Sequence, residues 1–278
     1  MQYSINHNNE LEVFIEKSIS SLNLGGLLVT RQTVEMIIQI YNLEKICNLY
    51  IKNSPNSVNK NHSFLIESVF KDSVVNFSLT NKVDVGTRNI IFQSQGNPYS
   101  MKGVTKLFEK FSLRPQLMWK PKSFDIHTPL DNCFGLHFKF LEETEFGHKV
   151  EYWIELVEYI KDLHPRLKII ILGNNAPEEI RKLPSVMVAN DKFSLSDQLF
   201  LCQKVKGFLG IASGFCTAAQ FSNTPHIIFK HPKHDTDEMD DEMGNSDRFP
   251  FAKQNQRLWR VIQSKEILFK AFSLINEK

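Results

Sequence analysis

The chain has 278 residues, 42% of them hydrophobic and 23% charged, with 33 basic against 31 acidic side chains and a formal charge of +2. That length exceeds the ~100–200 residues of one typical domain, so two domains or one large α/β unit are expected. Balanced charge without a block of like sign argues against nucleic acid as a partner, no run approaches the about 18 apolar residues of a membrane span, and the start lacks the pattern of a secretory signal.

In chain order, the first 130 residues read as a smaller or irregular α/β domain. Helix-like pieces are expected at 11–22 and 32–40, and apolar runs of strand length at 74–79 and 89–92. Residues 54–61 form a polar loop, and 120–123 with Thr128-Pro129 mark the connection between halves. The four cysteines, Cys47, Cys133, Cys202 and Cys216, include no C-x-x-C pair, which argues against a zinc knuckle or a disulfide framework.

From 131 onward, short apolar runs alternate with helical patterns. A strand at 133–140 puts Phe134, Leu136, Phe138 and Phe140 on one face and Cys133, Gly135, His137 and Lys139 on the other, the second free to face a cleft. Trp153, Leu156, Val157 and Ile160 give 149–161 a helical spacing, ended by His164-Pro165. The run 167–173 suits a strand covered on both faces, and Asn174 and Asn175 turn the chain. A short helix at 177–182, a strand at 185–189 and a helix capped around Ser194 and Asp197 and continuing to 204 follow. Strand 207–212, helix 215–221 and strand 225–230 complete the alternation, which is the signature of βαβ units in a doubly wound parallel sheet. Residues 231–247 are acidic and without periodicity, and 248–259 mix aromatic and polar residues before a last helix ending near 275. The expected domains are therefore 1–130 and 131–278.

The segment that carries most chemistry is Gly210-Ile-Ala-Ser-Gly-Phe-Cys-Thr217, a strand ending in small residues just before a helix. Small side chains let a ligand approach the main chain, and helix-end amides attract phosphate, with Ser213 and Thr217 adding hydroxyls. The competing reading is a tight strand-to-helix turn in which glycine only relieves crowding. His137 and Lys139 share a strand face, where they act together on a ligand or simply form its wet side. In the acidic segment, Glu238 or Glu242 accepts ribose hydroxyls if the segment is a lid, and otherwise it is a solvated loop. His231, His234, Asp235 and Asp237 lack the spacing of a metal site, so no metal is expected.

The stretch from Phe193 to Phe229 resembles the donor half of GT-B glycosyltransferases, particularly the heptosyltransferase-like group: helix, strand, serine-glycine turn, small-residue helix, Thr224-Pro225 and a final strand. Ala212 stands where that group often carries an acidic or polar residue, and no histidine follows Gly214 at the usual place. The strand Leu136-His-Phe-Lys139 is similar to the His-x-Arg strand of fucosyltransferase-like GT-B enzymes, with Lys139 a point charge in place of the two-pronged arginine. The resemblance implies two Rossmann-like domains with the last helix packing back across them, chemistry in the cleft between them, no cofactor, no metal, and a nucleotide-sugar as donor substrate. Ser213, Gly214, Phe215, Cys216 and Thr217 would hold the diphosphate, with Lys139, Gly173, Asn174 and Glu238 beside it. Asp131, His137 and Glu142 are the candidates for the base that takes the acceptor's proton. The implied activity is sugar transfer to a glycan or lipid-linked glycan in surface-polysaccharide or glycan assembly, in the cytoplasm or peripheral to a membrane. A catalytically silent binding protein, or an epimerase, hydrolase or pyruvyl transferase on the same fold, are the alternatives.

Overall fold

The computed structural model describes residues 2–6, 8–18, 23–43, 47–52, 60–73, 75–80, 90–93, 101–120, 130–139, 149–234 and 237–276. The chain divides into two compact units, Met1–Leu117 and Met118–Lys278, each with its own sheet.

Unit 1 contains β1 (Gln2–Ile5), β2 (Leu11–Ser18), α1 (Leu24–Tyr41), β3 (Cys47–Lys52), α2 (Lys60–Phe70), β4 (Val75–Thr80), β5 (Ile90–Gln93) and α3 (Lys102–Phe111). The sheet order is β4-β3-β2-β1-β5, with β2, β3 and β4 parallel and β1 antiparallel to both β2 and β5. The helix expected at 11–22 is corrected by β2. Leu11, Val13 and Ile15 alternate along it and are buried, and the Asn6 side chain takes the amides of Asn8 and Glu10, turning the chain back from β1. The helix expected at 32–40 begins earlier, because Asn23 caps it by accepting the Gly26 amide and the two glycines of its first turn conceal the start. Most of the loop expected at 54–61 lies outside the described residues.

Arg31 on α1 is only 2% exposed. Its guanidinium donates to the carbonyls of Val69 and Lys71 and pairs with Glu35 at 2.7 Å, so it satisfies the carboxyl end of α2, where helix carbonyls otherwise lack partners.

Unit 2 contains β6 (Cys133–His137), α4 (Val150–Leu163), β7 (Lys168–Leu172), α5 (Glu178–Arg181), β8 (Val186–Val188), α6 (Leu195–Cys202), β9 (Gly207–Ile211), α7 (Cys216–Gln220), β10 (His226–Phe229), α8 (Asp237–Met243), β11 (Gln256–Trp259) and α9 (Lys265–Asn276). Every neighbouring pair is parallel, in the order β11-β10-β9-β6-β7-β8. The chain thus winds one way from β6 through β7 to β8, then crosses over to β9 and winds the other way, which is the doubly wound pattern with its switch point between β6 and β9.

Three local expectations change. β6 is buried along its whole length, not open on one face, because a central strand of a doubly wound sheet is covered on both sides. A sixth strand, β11, extends the sheet beyond β10; the expected last helix is α9, whose Phe269 stacks on Tyr159 of α4 at 4.2 Å and whose Phe272 meets Phe134 edge-on. The acidic segment holds α8, whose Met239 and Met243 are buried. Trp153 anchors the core of unit 2, edge-on to Phe138 and Phe229. Among the described residues, no helix is long and apolar enough to cross a membrane.

Candidate functional site

Ligands of open parallel sheets bind outside the carboxyl ends of the strands at the switch point, where neighbouring connections diverge. In unit 2 those ends are His137 on β6 and Ile211 on β9, the latter leading into Ser213. The two meet: His137 Nε2 lies 2.7 Å from Ser213 Oγ, although the residues are 76 positions apart.

The histidine is held from three further sides. Its Nδ1 lies 2.8 Å from the carbonyl oxygen of Leu172, its ring stacks on Phe215 at 5.0 Å, and Gly173 closes the space beside it. Gly173 has φ of +86°, and a Cβ there would sit 2.7 Å from the Cε1 and Nδ1 atoms of His137, so glycine is required on both counts. The Gly173 amide donates to Gln198 Oε1 at 2.8 Å, and Gln198 donates in turn to the Phe193 carbonyl, which ties the end of β7 to α6. With 3% exposure, burial pulls the His137 imidazole down from 6.5 to about 4, the positive charge of Lys139 adding to the effect and the Leu172 carbonyl opposing it.

The turn from β9 to α7 is partly self-satisfied. The Phe215 amide donates to Ser213 Oγ at 3.1 Å and the Cys216 amide to the Ser213 carbonyl at 3.1 Å. Among the described residues, the amides of Gly214 and Thr217 show no such partner. Ser213 and Gly214 are half-buried, whereas Phe215, Cys216 and Thr217 are buried. The Cys216 thiol donates to the Ile211 carbonyl, and burial pushes its pKa up to about 12, so it stays a thiol. A Cβ on Gly210 would meet the Phe208 ring at 2.9 Å and Cys216 Sγ at 3.0 Å, so this glycine makes room for packing and not for a ligand.

The remaining candidates are dispersed. Half-buried Lys139 follows β6 closely at the same sheet edge, and exposed Asn174 follows β7 there. Glu238 lies in the first turn of α8, after β10. Asp131 is in the 3-10 turn Leu130–Asn132 before β6, at the opposite, amino edge of the sheet. At ~3.3 Å per residue, the length of β6 keeps its backbone well away from the switch point. Glu142 lies outside the described residues. The sequence reading missed Gln198 and the Leu172 carbonyl. The only local signal for Gln198 is an amide directly before the apolar Leu199-Phe-Leu-Cys202 run, where a buried polar group needs partners.

No protein-family model matches the chain, and no curated protein sequence does. Solved structures do. The glycosyl transferase family 9 protein from Veillonella parvula DSM 2008 superposes with a TM-score of 0.57 at 11% identity, covering 100% of this chain and 99% of that one. The E. coli heptosyltransferase WaaC with ADP gives 0.53 at 12% identity, covering 96% and 99%. The same enzyme with ADP-2-deoxy-2-fluoro heptose gives 0.52 at 11%, covering 92% and 98%. At these identities the shared property is architecture: the chain has the GT-B fold of the heptosyltransferases.

Proposed function

We propose that this GT-B chain is a glycosyltransferase that moves a sugar from a nucleotide-sugar to a hydroxyl of a glycan or lipid-linked glycan, in surface-polysaccharide or glycan assembly. The observation that carries the reading is the convergence of His137, Ser213 and Gly214 at the switch point of an all-parallel sheet, where an anion meets strand-end amides and hydroxyls.

In this reading the donor diphosphate lies over the turn 213–217. With the Phe215 and Cys216 amides turned inward, the contacts fall to Gly214 and Thr217, helped by the charge of Lys139. Phe215 and Cys216 support the turn from beneath, Gly173 and Asn174 border it, and Glu238 receives ribose hydroxyls. In the transfer, the acceptor oxygen bonds to the anomeric carbon, the bond from that carbon to the β-phosphate oxygen breaks, and the nucleoside diphosphate departs. No metal enters this scheme.

His137 holds both ring nitrogens in hydrogen bonds, which supports a positioning role for it. Asp131 stands at the far edge of the sheet. Glu142, which follows β6 in the sequence, is the base we test first: Glu142→Gln should lower kcat by about 10²–10⁴ with donor binding kept. The Ser–His pair also has the form of an activated nucleophile, but in the free protein an imidazole buried beside Lys139 resists the charge such chemistry requires.

The crystallised WaaC complexes contain ADP and an ADP-heptose analogue, so adenosine diphosphate sugars come first in a screen against uridine, guanosine, cytidine and thymidine counterparts. A ligand present at 100 times its Kd stabilises the folded protein by about 2.7 kcal/mol, read as a rise in Tm. Ser213→Tyr, which fills the turn, should abolish the rise, and no shift with any nucleotide would overturn the reading. Ala212, at a position often acidic or polar in the resembling group, supports a second reading in which the protein binds without turnover. Tight binding with no release of nucleoside diphosphate in the presence of acceptor would select it.

A further inference from the structure

The hydrogen bond between Ser213 and His137 has a direction, and a bound anion conflicts with it. A carbonyl oxygen only accepts, so the 2.8 Å contact with Leu172 fixes a proton on His137 Nδ1. In the neutral ring Nε2 is then the acceptor, and the Ser213 hydroxyl, 2.7 Å away, donates to it. A second geometric acceptor for that hydroxyl, Cys216 Sγ at 4.0 Å, is far longer and is engaged with the Ile211 carbonyl. Ser213 Oγ also accepts the Phe215 amide. A hydroxyl has one proton, and here it points into the protein. Toward an incoming phosphate oxygen, Ser213 therefore offers only a lone pair, which repels.

We propose that binding of an anion at Ser213 takes up one proton from solvent onto His137 Nε2. The imidazolium then donates to Ser213 Oγ, and Ser213 turns its own proton onto the ligand oxygen. This inference rests on the donor-site reading above. The hydrogen-bond count closes without moving a heavy atom: Nδ1 still donates to Leu172, Nε2 donates to Ser213, and Ser213 accepts twice and donates once.

The surroundings explain why the proton arrives only with the ligand. The charged or titratable groups that face the pair are Lys139 beyond β6 and Cys216 on α7, with Cys202 of α6 coupled to Cys216. Both cysteines are held as neutral thiols by burial. Lys139 and burial both disfavour the imidazolium, and no carboxylate among the described residues offsets them. A diphosphate is the missing negative charge. Because the complex holds one proton more than the free protein, affinity rises as pH falls through the histidine's value in the complex. It levels off below about 4, where the free ring is itself charged. One proton limits the slope to about tenfold in affinity per pH unit.

Calorimetry with ADP-glucose and UDP-glucose tests this, since their diphosphates carry no ionisation of their own near neutral pH. Titrations in buffers of different ionisation enthalpy, between about pH 5 and 8, should show proton uptake approaching one in the wild type. His137→Gln places a permanent N–H opposite Ser213 and should bind with a flat pH profile. Ser213→Ala should lose both the uptake and affinity. Nitrogen-15 spectra of the histidine ring give a readout that needs no variant: a bare Nε2 in the free protein and two protonated nitrogens in the complex. Binding without uptake, with Nε2 still bare, overturns the inference and leaves the donor site standing. Failure of every nucleotide-sugar of the five-base screen to bind at any pH overturns both.

Discussion

The two units solve the same problem, a parallel run of strands crossed by helices, but they differ at one neighbour. In unit 2 the first strand, β6, lies directly beside the parallel β9, so two carboxyl ends come together and the chain diverges on either side. In unit 1 the corresponding first parallel strand, β2, lies beside β1, which runs the other way and separates it from β5. Where β2 ends, β1 begins, so on that side no second carboxyl end stands next to it, and its one parallel neighbour is β3. The comparison teaches that strand direction at a single position decides whether a sheet edge collects turn amides and hydroxyls around a crevice. The His137–Ser213 bond exists because β6 and β9 point the same way.

The largest way to stress this difference is acid. His137 and His226 of unit 2 are each 3% exposed, and burial pulls both from 6.5 to about 4. Their folded values lie below the unfolded one, so the unfolded chain binds more protons and stability falls as pH falls from about 6.5 toward 4. Each should contribute a loss of about 3 kcal/mol at the lower end, at ~1.4 kcal/mol per unit. Urea midpoints across that range check it, and His226→Gln should remove about half the slope. Next comes Gly173→Ala, where a positive φ and the 2.7 Å clash with His137 together should cost about 2–4 kcal/mol. Gly244→Ala is the control: its φ is +58° but nothing lies within 4 Å of a Cβ, so about 1 kcal/mol is expected from backbone strain alone. Unit 1 supplies the last test. Arg31→Met strips the Val69 and Lys71 carbonyls of their donor and should cost about 1–3 kcal/mol in the same unfolding assay, without altering nucleotide binding.

Much of unit 2 was readable along the chain because its elements are short, regular and punctuated. Ser194 and Asp197 form the reciprocal capping box that starts α6, and the β-branched run before Gly173 is β7. What local pattern concealed was set by distant partners. β11 carries Gln256 and Arg257, polar residues that look unlike a strand until Gln256 reaches the Ser222 and Thr224 carbonyls and Arg257 pairs with Asp247. In β2, Leu11, Phe14 and Ile15 fit a helical spacing while Leu11, Val13 and Ile15 fit an alternating one, and only pairing with β1 and β3 decides. The site was readable in part. The small-residue turn at 210–217 announces itself, but the meeting of His137 with Ser213 has no local signature, and the polar face of β6 reads as cleft-facing or wet because a buried histidine and an exposed one look alike in sequence.

The most direct test of the donor site is a backbone amide titration of the labelled protein with the nucleotide-sugar that raises Tm most. Saturable shifts at Gly214 and Thr217, with smaller ones at Lys139 and Gly173, are the predicted result. A nucleotide-sugar that binds while the amides of 213–217 remain unmoved would contradict it.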